Sequence, residues 1–254
     1  KNSGVAVARN TALAAATGAF IIHIDSDDSV RNDFLEKLYA TAVQNDADLV
    51  VCNNWNDFDE ELSSVQLVRL LLTHHSPPTL WCKIARRSLF TEHNIVWKEG
   101  INVGEDPIIS VKLQYFSKKT VFLRDMLYNY KQDIGFVTKL KKSNILRQKE
   151  LEFLEIKRFA EEHGFYGEIA DVIRYLQTEF SRRTQHKSLC VTPAGVYTHQ
   201  QGDAEGSSLA RARLSQGNHV FLVTEQVGNH RFLHWHRLNE AQLFNGTTDI
   251  SAHS

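Results

Sequence analysis

The sequence GAFIIHIDSDD, residues 18–28, indicates a buried strand that ends in an acidic turn. Its apolar run, AFIIHI at residues 19–24, has the length and composition of a strand covered on both faces. The preceding residues, 3–18, are rich in alanine, with Ser3 in position to act as the N-cap and Gly18 as the glycine that ends a helix. We therefore predict a helix over residues 3–18 and a strand over residues 19–24.

The same alternation of helix and strand continues after the acidic turn. Apolar residues at helical spacing predict a helix from Phe34 to Ala42, and the sequence DLVVC at residues 48–52 predicts a second buried strand. Helices that alternate with buried strands are typical of an α/β fold with a mainly parallel sheet. Farther along, we expect a helix at 65–72, a helix after Gly104, extended segments at 120–123 and 126–130, two helices within 143–184 divided by Gly164 and Gly167, and short strands at 219–224 and 231–237.

The composition is that of an ordinary globular protein. The 254 residues carry a formal net charge of −1, 42% are apolar and 23% are charged, which excludes a disordered chain, a fibre and a disulfide-rich peptide. Nucleic acid is not an expected partner, because the chain has no basic excess. Three cysteines indicate reduced thiols, and no apolar run reaches the roughly 18 residues that span a bilayer. The only methionine is Met126, so we expect Lys1 to mark a cut in a longer sequence.

The acidic turn Asp25-Ser26-Asp27-Asp28 is the first candidate for chemistry. It follows a buried strand directly, and open α/β sheets bind their ligands at the carboxyl ends of strands. Two acids one residue apart can direct oxygens at one hard cation, Mg²⁺ or Mn²⁺, that also contacts substrate phosphates. The alternative is that Asp28 or Ser29 caps the next helix while the other acids are solvated.

The second candidate is the sequence Gly104-Glu105-Asp106-Pro107. An acid at the start of a helix can accept a proton from a substrate hydroxyl. The alternative is structural, because Asp at the N-cap followed by Pro at the first helical position is a common helix opening. A carboxylate that caps a helix is also a weaker base, since backbone N–H groups favour its charged form.

Two basic features have alternative interpretations as well. Arg9, on the first predicted helix, could reach a diphosphate, or it could be an ordinary exposed helical arginine. Residues 139–158 contain seven Lys or Arg and three Glu. This stretch could rest on an anionic membrane surface, or it could form a solvated helix face, because Glu150, Glu152 and Glu155 alternate with the basic residues.

Several blocks of the sequence, taken in order, resemble family 2 glycosyltransferases of the GT-A fold. The first blocks are KNSGVAVARN at residues 1–10 and GAFIIHIDSDD at 18–28. WCKIARRSLF at 81–90 is similar to a second conserved segment of that family, GED at 104–106 to a third, and YNY at 128–130 to a fourth. Ordered agreement of several blocks is far more specific than any single short motif.

The resemblance implies a metal-dependent, inverting transfer of a sugar from a nucleotide sugar. Asp25 and Asp27 would hold Mg²⁺ or Mn²⁺, and Asp106 would be the catalytic base that deprotonates the acceptor hydroxyl. The residues assigned to the donor are Arg9, Asn10, Asp25, Ser26 and Asp27, and Glu105 is assigned to the acceptor side.

The resemblance also implies an organisation and a setting for the protein. Residues 1–132 would form a partial GT-A domain that lacks the family's N-terminal strand and nucleoside-binding segment, 133–184 a helical extension, and 185–254 an uncharacterised, β-containing tail. The expected partners are a UDP-, GDP- or dTDP-sugar and a glycan or lipid-linked acceptor of a bacterial surface polysaccharide. We expect a cytoplasmic protein, with peripheral contact at the inner face of the membrane. The alternative is a non-catalytic remnant that binds sugar nucleotides or carbohydrate.

Overall fold

The computed structural model describes residues 4–26, 28–54, 62–130, 142–185 and 220–225. The helices of this part of the chain are α1 Val5–Ala15, α2 Phe34–Gln44, α3 Ser64–Leu72, α4 Arg87–Glu92, α5 Glu105–Phe116, α6 Lys142–Glu162 and α7 Tyr166–Gln185. Its strands are β1 Phe20–Asp25, β2 Ser29–Val30, β3 Leu49–Val51, β4 Lys83–Arg86, β5 Thr120–Phe122, β6 Tyr128–Asn129 and β7 Val220–Glu225.

A five-stranded sheet in the order β5-β3-β4-β1-β7 forms the centre of the fold. Strand β4 is antiparallel to both of its neighbours, whereas β1 pairs with β7, and β3 with β5, in parallel. Four of the five strands therefore run in one direction, which confirms the predicted mixed, mainly parallel sheet flanked by helices. Strands β2 and β6 form a separate antiparallel pair next to the carboxyl end of β1.

The first helix is shorter than the alanine-rich sequence predicts. It spans Val5–Ala15, with Gly4 at the N-cap position at φ 86° and Ala16 at the C-cap in an extended conformation. Ser3 lies outside the described residues. Gly18 does not end the helix; instead its carbonyl accepts a hydrogen bond of 2.7 Å from Arg87 Nε. The prediction failed there because the chain leaves the helix two residues earlier to enter β1.

Strand β4, like β2 and α4, was not predicted from the sequence. Its four residues, KIAR, are short and contain two basic side chains, which is not the pattern of a central strand. Lys83 is nevertheless buried, and its Nζ donates to the carbonyl of Pro77 and, at 2.5 Å, to that of Thr79. These carbonyls satisfy a buried ammonium group that would otherwise oppose burial of the strand.

Two apolar clusters stabilise the structure. The first surrounds the sheet and includes residues of α1, α2 and the strands. The second is formed by α3, α5, α6 and α7, so the two helices predicted within 143–184 pack onto the helical side of the fold. The domain boundaries at 132 and 184 remain predictions. None of the helices described is long and apolar enough to cross a membrane.

Helix α6 is not a uniformly solvated face. Of the three glutamates that were expected to alternate with basic residues in solvent, Glu152 and Glu155 are buried. Lys149 donates to Glu152 at 2.6 Å, and Arg158 donates to Glu155 at 2.9 Å. The prediction of a solvated face fails because Glu152 and Glu155 lie on the inner side of the helix, where each is paired with a basic side chain. The strand predicted at 219–224 is confirmed as β7, whereas 231–237 lies outside the described residues.

Candidate active site

Arg9 lies at the centre of a cluster of carboxylates that come from distant parts of the chain. Its Nη1 donates to Asp106 Oδ1 at 2.8 Å and to Glu105 Oε1 at 3.2 Å, and its Nη2 lies 4.0 Å from Asp25 Oδ1. The Arg9 side chain is only 6% exposed. The interpretation of Arg9 as an exposed helical arginine is therefore wrong. We call Arg9, Asp25, Glu105 and Asp106 the Arg9 cluster.

The fold brings these groups together at the carboxyl end of β1. Asp25 is the last residue of β1, and Glu105 begins α5. Helix α1 is fixed beside them by Asn10, whose amide donates to the Trp97 carbonyl at 2.8 Å and accepts from the Trp97 N–H at 2.9 Å. The Arg9 guanidinium also lies 5.9 Å from the centre of the Trp97 ring. The Asn10 amide thus anchors α1, and its contact with a donor remains a prediction.

Asp106 is not the N-cap of α5. The N-cap position is Gly104, at φ 89° in the left-handed region, and Asp106 lies inside the first turn. Its second oxygen, Oδ2, accepts a hydrogen bond of 3.1 Å from the Leu80 backbone N–H. The capping interpretation is wrong, because both carboxylate oxygens receive donors from other segments and Pro107 follows within the helix. The side chain remains 21% exposed, so solvent reaches part of it.

The loop that supplies the Leu80 N–H is itself held in place. Lys83 Nζ donates to the loop carbonyls of Pro77 and Thr79, and Ser110 Oγ of α5 donates to the Pro78 carbonyl at 2.9 Å. Ser110 is one turn beyond Asp106, so α5 contacts this loop at two levels. Lys83 is a residue that the sequence analysis quoted only as part of a motif, and its contribution here is to shape the backbone beside Asp106.

The acidic turn after β1 is held by a tyrosine. The Tyr128 hydroxyl accepts from the Asp25 backbone N–H at 3.0 Å and donates to Asp28 Oδ2 at 2.7 Å. Burial, together with the charges of Asp25 and Asp28, raises the pKa of Tyr128, so the phenol stays protonated and can donate. Asp28 and Ser29 do not cap α2, whose N-cap position is Asp33. That alternative is wrong because β2 lies between the turn and the helix.

Replacing Tyr128 by Phe is expected to lower the free energy of unfolding by about 1–2 kcal/mol, because two hydrogen bonds are lost and the Asp25 N–H loses its acceptor. The ring would keep its packing against Trp81 and Phe34. Urea unfolding measures the change. Tyr175→Phe is the matched control, since Tyr175 is exposed and its variant should stay within about 0.5 kcal/mol of the parent. A Tyr128→Phe variant as stable as the parent would show that these bonds do not hold the turn.

His23 is a buried polar residue that the sequence analysis did not assign to the site. Within the described part of the chain, neither ring nitrogen has a hydrogen-bond partner, and the ring packs edge-on against Trp97 at 5.3 Å between centres. Burial and the nearby Arg9 charge lower the pKa of His23 to about 3. The imidazole is therefore neutral at physiological pH, and it adds no second cation beside Arg9. The sequence did contain one sign of this buried residue, a histidine within the apolar run AFIIHI.

The carboxylates of the Arg9 cluster are arranged around a guanidinium and do not form a metal site by themselves. Three carboxylates face one guanidinium, which leaves the cluster net negative, and carboxylate oxygens are the ligands that Mg²⁺ and Mn²⁺ prefer. Asp25 is 31% exposed, and Ser26 beside it is exposed. The described residues contain no group of three or more His, Cys, Asp or Glu placed to hold a metal ion. Asp27, the other predicted ligand, lies outside them.

Comparison with known protein families finds a likeness in the N-terminal part of the chain. Residues 1–101 match the family model described as Glycosyl transferase family 2. The mixed sheet agrees with that class, and this segment of the chain is similar to glycosyltransferase family 2. The matched residues include Arg9 and Asp25, whereas Glu105 and Asp106 follow the segment.

Two bacterial glycosyltransferases are similar to this chain in sequence. The chain is 27% identical over 148 residues to the putative glycosyltransferase EpsH of Bacillus subtilis, covering 52% of this chain and 42% of EpsH. It is 23% identical over 203 residues to the cholesterol galactosyltransferase of Borreliella burgdorferi, covering 71% of this chain and 56% of that protein. The chain thus spans less than half the length of EpsH.

A solved structure has the same fold. The structure of Staphylococcus aureus TarS residues 1–349 in complex with UDP-GlcNAc matches with a TM-score of 0.54 and 18% sequence identity. The match covers 74% of this chain and 58% of the TarS chain. This likeness confirms the GT-A-like fold predicted from the sequence.

Proposed function

We propose that this protein is a metal-dependent, inverting glycosyltransferase that moves a sugar from a nucleotide sugar to a hydroxyl of a glycan or glycolipid acceptor in bacterial surface polysaccharide synthesis. The observation that carries the proposal is the Arg9 cluster at the carboxyl end of β1. Two of its members, Arg9 and Asp25, lie in the segment that matches the family 2 glycosyltransferase model. The buried Arg9 guanidinium can bind an anionic ligand, and the partly exposed carboxylates beside it can accept a proton.

The donor side of the site comprises the residues around the end of β1. Arg9 is suited to a diphosphate, because a guanidinium forms strong, charge-assisted hydrogen bonds to phosphate oxygens. Asp25 and Asp27 would hold Mg²⁺ or Mn²⁺, whose charge offsets that of the leaving nucleoside diphosphate. The remaining donor contacts in the proposal are Asn10 and Ser26. The nucleotide would be UDP, GDP or dTDP, and the TarS complex makes UDP-GlcNAc the first donor to test.

Asp106 is the proposed catalytic base. As the acceptor oxygen forms a bond to the anomeric carbon, its proton passes to the Asp106 carboxylate, and the electron pair of the breaking bond leaves with the nucleoside diphosphate. Attack from the face opposite the diphosphate inverts the anomeric configuration. A positioned base of this kind contributes about 10²–10⁴ in rate. Glu105, whose side chain also bonds Arg9, lies on the acceptor side.

The bond between Arg9 and Asp106 gives a reason for donor binding to precede proton transfer. Oδ1 of Asp106 accepts from Arg9, while Oδ2 accepts from the Leu80 N–H. An incoming diphosphate offers Arg9 another anionic partner, which would release Oδ1 for the acceptor hydroxyl. The Leu80 bond would keep the carboxylate in place during that exchange.

The proposal also includes a setting in the cell. A lipid-linked acceptor would bring the enzyme to the inner face of the cytoplasmic membrane, where basic residues of α6 could contact anionic lipid headgroups. Each such residue near the surface contributes about 1 kcal/mol. A chain that binds liposomes of phosphatidylcholine and phosphatidylglycerol no better than liposomes of phosphatidylcholine alone would contradict this part of the proposal.

The stereochemistry of the product tests the proposed reaction. The chain is incubated with Mn²⁺, UDP-GlcNAc, in which the sugar is α-linked, and a set of glycan acceptors, and the product is examined by NMR. A β-linked product is the expected result, whereas an α-linked product would contradict inversion. Further UDP-, GDP- and dTDP-sugars follow if UDP-GlcNAc is not used. Binding of a nucleotide without transfer to any acceptor would favour the second candidate, a non-catalytic sugar-nucleotide-binding protein.

Replacing Asp27 by Ala is expected to weaken Mn²⁺-dependent binding of UDP by at least about tenfold, because the cation loses a proposed carboxylate ligand. Removing Mn²⁺ with EDTA should weaken binding to the parent to a similar extent. Titration calorimetry measures both effects. Glu161→Ala, an exposed acid on α6, is the control and should bind like the parent. Unchanged affinity of the Asp27→Ala variant would contradict the metal assignment.

A further inference from the structure

The loop that precedes the acid pair is held by one side chain of α6. Gln148 Oε1 accepts hydrogen bonds from the Asn102 N–H at 2.7 Å and the Val103 N–H at 3.2 Å. Its Nε2 donates to the Gly100 carbonyl at 3.0 Å. One amide group therefore satisfies three backbone groups in four consecutive residues. These residues lead into Gly104 and the first turn of α5, where Glu105 and Asp106 lie.

Glu152, one helical turn after Gln148, continues the contact. Gly104 has φ +89°, and a Cβ at that position would overlap the Glu152 carboxylate. The loop thus approaches α6 closely, and the left-handed φ at this position favours glycine. Burial raises the pKa of Glu152, against the opposing effect of Lys149. Glu155, a further turn along, receives a hydrogen bond from Lys98, so α6 contacts the segment 98–104 at three successive turns.

We propose that Gln148 is a positioning residue, which sets the place of the Asp106 carboxylate by fixing the backbone of residues 100–103. This inference rests on the proposed function of Asp106 as a base. Gln148 does not touch Arg9, Leu80 or Asp106 in the hydrogen bonds described above, so it acts only through the loop and Gly104. The family match ends at residue 101, so α6 lies outside the matched segment.

The position of the Asp106 carboxylate is important because it accepts a hydrogen bond from the Leu80 N–H and must also contact the acceptor hydroxyl in the proposed reaction. A displacement of about 1 Å at a reacting group can lower a rate by about a hundredfold. Loss of the Gln148 amide frees the N–H groups of Asn102 and Val103 and the Gly100 carbonyl. Without these three hydrogen bonds, the backbone of residues 100–103 can move relative to α6.

Hydrogen exchange measured on the intact chain tests the inference without any substrate. In the Gln148→Ala variant, the amides of Asn102 and Val103 should exchange about tenfold faster, because each loses a bonding partner. The decisive amide is that of Leu80. It donates to Asp106 Oδ2, so its exchange rate reports whether the Asp106 carboxylate keeps its position. Exchange at Leu80 should also become about tenfold faster. An unchanged Leu80 exchange rate would overturn the proposal, even if Asn102 and Val103 respond.

Two further variants make the result specific. Gln148→Glu keeps an oxygen that can accept from Asn102 and Val103, so it should restore slow exchange at those two amides. It cannot donate to the Gly100 carbonyl, so exchange at Leu80 should be slowed only in part. Gln177→Ala changes an exposed glutamine of α7 in the same way and should leave all three amides as in the parent. Faster Leu80 exchange in the Gln177→Ala variant would contradict a specific effect of Gln148.

Kinetics give a second, separate readout. For transfer from the donor that the parent uses, Gln148→Ala should lower kcat by about ten- to a hundredfold while the donor KM changes by less than about twofold. A raised donor KM with unchanged kcat would overturn the positioning role. If the parent transfers no sugar, the proposed function fails, and the Leu80 exchange rate still decides whether Gln148 positions Asp106.

Discussion

The Asp106→Asn variant is expected to lose about 10²–10⁴ of kcat while its Kd for the donor stays within about twofold of the parent. The amide keeps nearly the shape of the carboxylate but cannot take a proton from the acceptor hydroxyl. Its single oxygen can accept from Arg9 or from the Leu80 N–H, the two donors that the carboxylate bonds now. Initial rates of nucleoside diphosphate release measure kcat, and calorimetry with the donor measures Kd.

The same chemical change elsewhere provides the control for Asp106. Asp171→Asn alters a carboxylate on α7 that pairs with Arg69 at the surface, and this variant should turn over like the parent. Equal rates for the parent and the Asp106→Asn variant would mean that Asp106 only anchors Arg9 and the Leu80 loop. A loss of donor binding as large as the loss of kcat would also contradict the assignment, because it would show that the substitution damages the donor side.

The Arg9→Leu variant is expected to be both less stable and unable to bind nucleotide well. Removing the guanidinium leaves three carboxylates facing one another without their central cation. Breaking a buried pair costs about 3–5 kcal/mol, and the partial exposure of these acids reduces the expected loss to about 1–3 kcal/mol. Affinity for UDP should fall at least about tenfold, because a charge-assisted bond to the diphosphate is lost.

Two companion variants separate charge from geometry at Arg9. Arg9→Lys keeps the charge but has no second nitrogen that can face Asp25 while the first bonds Asp106 and Glu105, so it should recover part of the stability and less of the affinity. Arg174→Leu removes an exposed arginine of α7 and should match the parent in stability and in UDP affinity. Urea unfolding and UDP titration measure the two effects. An Arg9→Leu variant that binds UDP with the affinity of the parent would exclude Arg9 from the donor side.

The order of the early elements could be predicted from the sequence because their signals are local. The apolar run AFIIHI and the helical spacing that begins at Phe34 each report one element, and both elements are present. Strand β4 was missed because Lys83 makes a buried strand look amphipathic, and the carbonyls that satisfy its ammonium group lie in a loop before it. Gly18 was misassigned because glycine at a helix end and glycine in a turn have the same local sequence.

The site itself was only partly predictable. The resemblance selected Arg9, Asp25 and Asp106, but the bond between Arg9 and Asp106 connects residues 97 positions apart, which no local pattern reports. The N-cap interpretation of Asp106 was reasonable from Asp-Pro alone, and it failed because the left-handed Gly104 moves the helix start. The roles of Tyr128 and Gln148 could not be inferred either, since each acts on backbone groups of another segment.

The measurement that tests the central claim most directly is a calorimetric titration of the chain with UDP and GDP, in the presence and absence of Mn²⁺. We expect binding of at least one of these nucleotides that strengthens with Mn²⁺ and weakens in the Arg9→Leu variant. A folded chain that binds neither nucleotide under either condition would contradict the assignment of the Arg9 cluster as a nucleotide-sugar site.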